Sequence, residues 1–160
     1  MLEEYNNSAV LRAFRIGLLL WAVAFAGLPA KAGEFTPYAA PLGEWRTAND
    51  GGVIAISWCG QSLCGRIAGI RRGPGEPMPK DAAGRSQCGL TIITNATPGQ
   101  DGTWFGQITD PRDDKQYGLE MWVDDRGRLH VRGYLGVPLF GQTEIWERYT
   151  GRVTADCGIA

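Results

Sequence analysis

From residue 43 onward, apolar and polar positions alternate with period two in short bursts, each stopped by a cluster of Gly, Pro, Asn or Asp. That period belongs to half-buried β-strands. Gln116–Val123 carries it most cleanly, with Tyr117, Leu119, Met121 and Val123 on one face and Gly118, Glu120 and Trp122 on the other. The pattern predicts strands at Gly43–Thr47, Val53–Trp58, Leu63–Ile70, Cys88–Asn95, Thr103–Thr109, Gln116–Val123, Arg128–Leu135 and Gln142–Tyr149. In the seventh, Leu129, Val131, Gly133 and Leu135 share the apolar face. The stretch Leu129–Arg148 reads as a closing hairpin around a Gly/Pro turn. Its partner is the first strand, Gly43-Glu44-Trp45, whose indole would pack beneath the guanidinium of Arg148 and seal one end of a barrel. No segment after residue 33 has a helical period.

Eight short strands separated by turns imply a sandwich or an up-and-down barrel. Closure removes the exposed edges that an open meander would leave. The expected fold is therefore all-β: a single eight-stranded antiparallel up-and-down β-barrel, with in-strand glycines (Gly65, Gly118, Gly133) where strands bend strongly. Arg71–Gln87 interrupts the rhythm with three prolines and three glycines in 17 residues. A loop of that length is either a lid over a barrel mouth or a solvated connector.

The first residues follow a different rule. Arg12 and Arg15 precede an apolar run of 13 residues, Ile16–Leu28, followed by Pro29 and Ala30-Lys31-Ala32. This is the order of a secretory signal segment, and the run is too short for a spanning helix, which needs about 20 residues. The expected organisation is a signal segment over 1–32 cleaved after Ala32, a lead-in over 33–42, the barrel over 43–150 and a tail over 151–160. No stable membrane span would remain after processing, and the address would be periplasmic or secreted.

Charge narrows the partners. With 16 basic against 17 acidic residues and no basic block, the chain lacks the footprint of a nucleic-acid binder. The four cysteines, Cys59, Cys64, Cys88 and Cys157, all lie beyond the signal segment, where an even count reads as disulfides. Of three possible connectivities, a hairpin between strands two and three would set Cys59 across from Cys64, leaving Cys88 with Cys157 to tie down the tail. With a lone histidine, these cysteines make a poor metal set, and no metal or cofactor is expected.

Gly43–Thr47 (GEWRT), Ile56–Ile67 (ISWCGQSLCGRI), Asp110-Pro111 followed by Tyr117, and the Leu129–Arg148 stretch together resemble the secreted bacterial domain of unknown function 2147. The resemblance covers nearly all of the chain after the signal segment and implies a calycin-like, lipocalin-like barrel. It marks Gly43, Trp45, Asp110, Pro111, Gly133 and Arg148 as structural positions, and it carries no assigned activity.

Catalytic readings are weak. His130 is the sole histidine and has no accompanying nucleophile motif. Asp110, Asp113 and Asp114 lack the glycine and terminal glutamate of a calcium loop and suit a solvated turn. Glu120 and Glu144 would act as a glycosidase pair only if they faced each other. Arg66, Arg132 and Arg148 would form either a polar interior or rim ion pairs. The reading that remains is a non-enzymatic module with no catalytic residue. Its barrel mouth, lined by Trp45, Arg132, Tyr134, Trp146 and Arg148, would accept a small amphipathic or anionic molecule. The alternatives are an envelope structural or interaction domain with a filled core and, third, an enzyme of unassigned class, which would need convergent titratable groups in a cleft.

Overall fold

The computed structural model describes residues 40–49 and 51–159; the expected signal segment lies outside them. Eight strands form one closed antiparallel barrel: β1 (Gly43–Arg46), β2 (Gly52–Cys59), β3 (Ser62–Ile70), β4 (Thr91–Pro98), β5 (Trp104–Thr109), β6 (Gln116–Val123), β7 (Leu129–Tyr134) and β8 (Gln142–Arg148). Each strand pairs with the next, and β8 returns to β1 through Trp45↔Arg148 and Arg46↔Glu147. The barrel and the closing pair are those expected from the alternation.

The register sorts the side chains. Trp45, Ile54, Ile56, Leu63, Ile93, Trp104, Leu119, Met121, Leu129, Val131 and Trp146 point inward and build one buried cluster. Trp45, Leu63, Ile93, Leu119, Met121 and Leu129 are 0% exposed, so the barrel is filled by side chains. Glycine makes the tight packing possible at Gly65, where a Cβ would lie 2.9 Å from the Ile93 side chain. This is how a narrow eight-stranded barrel accommodates bulky neighbours.

Three elements differ from the sequence expectation. β4 begins at Thr91, three residues later than predicted, because Cys88-Gly89-Leu90 is held in the preceding loop: Gly89 N–H donates to Ile67 O and Ile67 N–H to Leu90 O. β7 ends at Tyr134, so Leu135 leaves the apolar face and is exposed. The Arg71–Gln87 loop is folded on itself. Asp81, buried, accepts the Arg85 backbone N–H at 2.8 Å and its Nε at 2.7 Å, and Ala82 N–H donates to Pro111 O in the β5–β6 turn. Met78 of this loop packs on the barrel core.

Both disulfides form as expected, Cys59–Cys64 across the β2–β3 hairpin and Cys88–Cys157 between the β4 lead-in and the tail, each with Cα atoms 5.8 Å apart. The tail lies along β3: Ile70 N–H donates to Cys157 O at 2.7 Å, and Ile159 lies against Gly69. No described helix is long and apolar enough to cross a membrane.

Candidate functional site: the barrel ends and the outer face

The pairing assigns the two ends of the barrel. β1 starts at the end that carries the β2–β3, β4–β5 and β6–β7 turns; the β3–β4, β5–β6 and β7–β8 loops lie at the other. At the first end, Arg148 lies over the Trp45 ring, its guanidinium carbon 3.8 Å from the ring centroid, and donates to Leu42 O. Trp45 Nε1 donates to Pro41 O at 2.8 Å, so the buried indole has its polar atom satisfied. Gly43 has φ 105°, and a Cβ there would lie 2.6 Å from Arg148 Nη1. Glycine at that position is what lets the arginine cross the chain entry. Trp146 is also buried, with Nε1 donating to Glu144 Oε2 at 2.9 Å.

Arg132 and Tyr134 sit elsewhere. They alternate with the inward residues of β7 and so lie on the outer face, toward the loop end. The Tyr134 ring covers Gly118, where a Cβ would come within 2.5 Å of it. Arg132 is committed to the β7–β8 loop: Nε donates to Pro138 O at 2.7 Å, Nη1 to Thr143 Oγ1 at 2.8 Å and Nη2 to Leu139 O at 3.3 Å. The five residues assigned from sequence to one mouth therefore divide into a closed-end group, Trp45, Trp146 and Arg148, and an outer-face pair, Arg132 and Tyr134. Parity along β7 and β8 separates them, since residues one apart point to opposite faces.

The same parity places Glu120, across from Arg132, on the outer face and Glu144, across from the inward Val131, on the inner one. They do not face each other. Arg66 is exposed on β3, and with Arg132 outside and Arg148 at the barrel end, the arginines build no polar interior. Gly133 lies on the inward face of β7, with room beside Ile108 and Tyr117. In the β5–β6 turn, Asp110 accepts the Arg112 N–H at 2.9 Å and also holds its guanidinium, while Asp113 pairs with Lys115 at 2.9 Å. Hydrogen bonds from the Arg112 side chain hold Asp110 below the usual carboxylate range.

Two features escaped the sequence reading. The first is the β7–β8 loop. Leu135, Val137, Leu139 and Phe140 are 65%, 51%, 79% and 78% exposed, with Pro138–Phe140 wound into one 3-10 turn. β8 pairs with β7 from Gly133↔Gln142 to Leu129↔Trp146, whereas β1 reaches it only at Glu147 and Arg148. The hairpin therefore runs on past its neighbour and carries its apolar tip to the loop end. The signal was legible: an apolar run of Leu-Gly-Val-Pro-Leu-Phe where a turn is ordinarily polar.

The second is an outer-face cluster around Asp124. His130 Nε2 lies 3.0 Å from Asp124 Oδ2, and the His130 ring stacks on Trp122 with centroids 4.9 Å apart and planes at 15°. Arg128 Nε donates to the same oxygen at 2.9 Å, and the Arg126 and Arg128 backbone N–H groups donate to Oδ1. The His130 contact first, then the Arg128 and Arg126 hydrogen bonds, hold Asp124 well below the usual carboxylate range against the opposing effect of burial. A depressed folded-state pKa contributes stability above the unfolded value of about 3.9, lost as pH falls below it. Asp124→Asn is accordingly expected to melt below the parent protein at pH 7, with the gap closing in thermal melts taken progressively below about pH 4. A gap that stayed constant down to strong acid would show that the ionised carboxylate is not what Asp124 contributes.

The geometry defines a calycin-like barrel: eight strands closed by a Gly-x-Trp first strand under an arginine from the last. The chain belongs to the family described as uncharacterized protein conserved in bacteria (DUF2147), whose profile matches residues 43–148. Among solved structures, it is similar to protein HP1028 from Helicobacter pylori, described as belonging to the lipocalin family. The TM-score is 0.60 at 15% identity, over 70% of this chain and 84% of that one. No curated protein matches.

Proposed function

We propose that the protein is a non-enzymatic binding module working outside the cytoplasm, which takes a small amphipathic molecule at the loop end of its barrel. The observation that carries this reading is the β7–β8 tip, four exposed apolar side chains on a loop pinned by Arg132. Exposed apolar groups held in a fixed arrangement cost solubility and mark contact surfaces. The packed interior supports a binding surface at the rim rather than a hollow calyx in which the ligand descends into the barrel. Two disulfides and the signal-like first 32 residues support the oxidising compartment.

The test is binding of an anionic naphthalene-sulfonate dye, an amphipathic probe whose emission rises on apolar surfaces. The Leu139→Ser/Phe140→Ser variant changes only solvent-exposed side chains and should keep its melting temperature. It is expected to lose most of the dye signal. Undiminished dye binding by the folded variant would reject the tip as the site. The filled interior also favours a second reading, in which the same tip docks another envelope protein. Dye binding with no retained small molecule in native mass spectrometry would favour that alternative.

A further inference from the structure

A separate surface has the makings of a ligand site. On the outer face of β5 and β6, Phe105, Trp122, Thr103, Asp101 and Glu120 line a groove of about 260 Å³. Phe105 and Glu120 are directly paired across the two strands, and Trp122 follows on the same face of β6. The indole is supported from the β7 side: His130 stacks on it and is itself held by Asp124, which Arg128 and two backbone N–H groups fix in turn. Trp122 thus lines the groove as a pre-set aromatic platform, and a rigid platform loses little entropy when a ligand stacks on it.

The polar lining is one-sided. Asp101 and Glu120 are carboxylates, which when ionised only accept hydrogen bonds, and Thr103 adds one hydroxyl; among the described residues no basic side chain lines the groove. Asp101 uses Oδ1 for the Thr103 N–H at 3.1 Å, and that hydrogen bond is the leading cause holding its carboxyl below the ordinary range. Glu120 has no hydrogen-bond or ion-pair partner among the described residues. The cation across the strand from it, Arg132, is turned to the carbonyls of Pro138 and Leu139 and the hydroxyl of Thr143. Aromatic faces and carboxylates with free acceptor positions attract the same kind of guest: a positively charged, donor-rich group. The volume lies just below the range of drug-sized pockets, which suits a head group.

We propose that this groove binds an organic cation, with an ammonium head against Trp122 and Phe105 and its charge met by Glu120 and Asp101. The ammonium could come from a free amine or from a lysine side chain of a partner. The site is distinct from the apolar tip, and either can fail without the other.

The test is a titration of the isotope-labelled protein with cadaverine, followed by the Trp122 indole N–H and the amides of residues 101–105 and 120–122. Choline and pentane-1,5-diol are titrated in parallel, with a lysine-containing tripeptide as the peptide arm. Saturable shifts confined to these groups are expected with cadaverine and not with the neutral diol. Choline shifts at the indole alone would place the cation on the ring. Tripeptide binding tighter than cadaverine would identify a protein partner as the source. Glu120→Gln, isosteric and on the surface, should weaken cadaverine binding about tenfold, the factor expected for losing one charge-assisted contact. Trp122→Leu should abolish it. Equal shifts with the diol, no saturable shift with cadaverine, or unchanged affinity in Glu120→Gln would overturn the assignment.

Discussion

Trp45→Ala is expected to cost about 3–5 kcal/mol of folding stability, the range for truncating a fully buried aromatic. Three contributions converge on that side chain: burial at 0% exposure, the Nε1 hydrogen bond to Pro41 O, and the Arg148 guanidinium over its ring. The first should dominate. A net hydrogen bond is worth about 1 kcal/mol and a cation–π contact about 0.5–2 kcal/mol, so Trp45→Phe, which keeps the apolar ring but loses the N–H, should retain more than half of the stability lost in the alanine variant. For a domain whose whole stability is about 5–15 kcal/mol, the alanine change moves the protein close to unfolding. Urea titrations of both variants, read by far-ultraviolet circular dichroism, measure the difference. A loss below about 1 kcal/mol for Trp45→Ala would mean that the barrel end is not sealed by this residue.

The second large effect is expected at Cys88–Cys157. Its partners are 69 residues apart in sequence, against 5 for Cys59–Cys64. Chain-entropy arguments assign about 4 kcal/mol to the long loop and about 2 kcal/mol to the short one. The long bridge also retains the tail, whose Cys157 carbonyl accepts the Ile70 N–H and whose Ile159 lies on Gly69. A Cys88→Ser/Cys157→Ser variant should therefore melt well below a Cys59→Ser/Cys64→Ser variant. It should also lose hydrogen-exchange protection at the Ile70 amide, while the short-bridge variant keeps it. Equal melting temperatures for the two variants would refute the ranking.

Much of this architecture was legible along the chain because period-two alternation is a local property. Tyr117, Leu119 and Met121 could be assigned to one face of β6 without knowing what they touched, and Leu119 and Met121 are completely buried. The Cys59–Cys64 bridge was similarly readable, since a tight hairpin forces the two residues across from each other. The closing contact of Arg148 with Trp45 was read from two distant motifs. What local pattern could not supply was where alternation stops. Leu135 continues the apolar parity of β7, yet Gly136 at φ 76° turns the chain and Leu135 goes to solvent. Tyr134 and Trp146 look equivalent as strand aromatics, but one covers Gly118 outside and the other fills the core.

The sequence by itself determined the number of strands, the apolar faces of β6 and β7 and the Cys59–Cys64 pairing. Each follows from spacing along one strand or across one turn. Only the tertiary structure decided which charged and aromatic groups meet. Arg132 could equally have paired with Glu120, its cross-strand neighbour, but its guanidinium instead holds the β7–β8 tip. Trp122, His130 and Asp124 form one platform because β6, β7 and their turn bring them to one outer surface. The reason is physical: a backbone period sets the side a residue faces, whereas the partner of a long polar side chain depends on the path of strands remote in sequence, which the barrel's closure alone specifies.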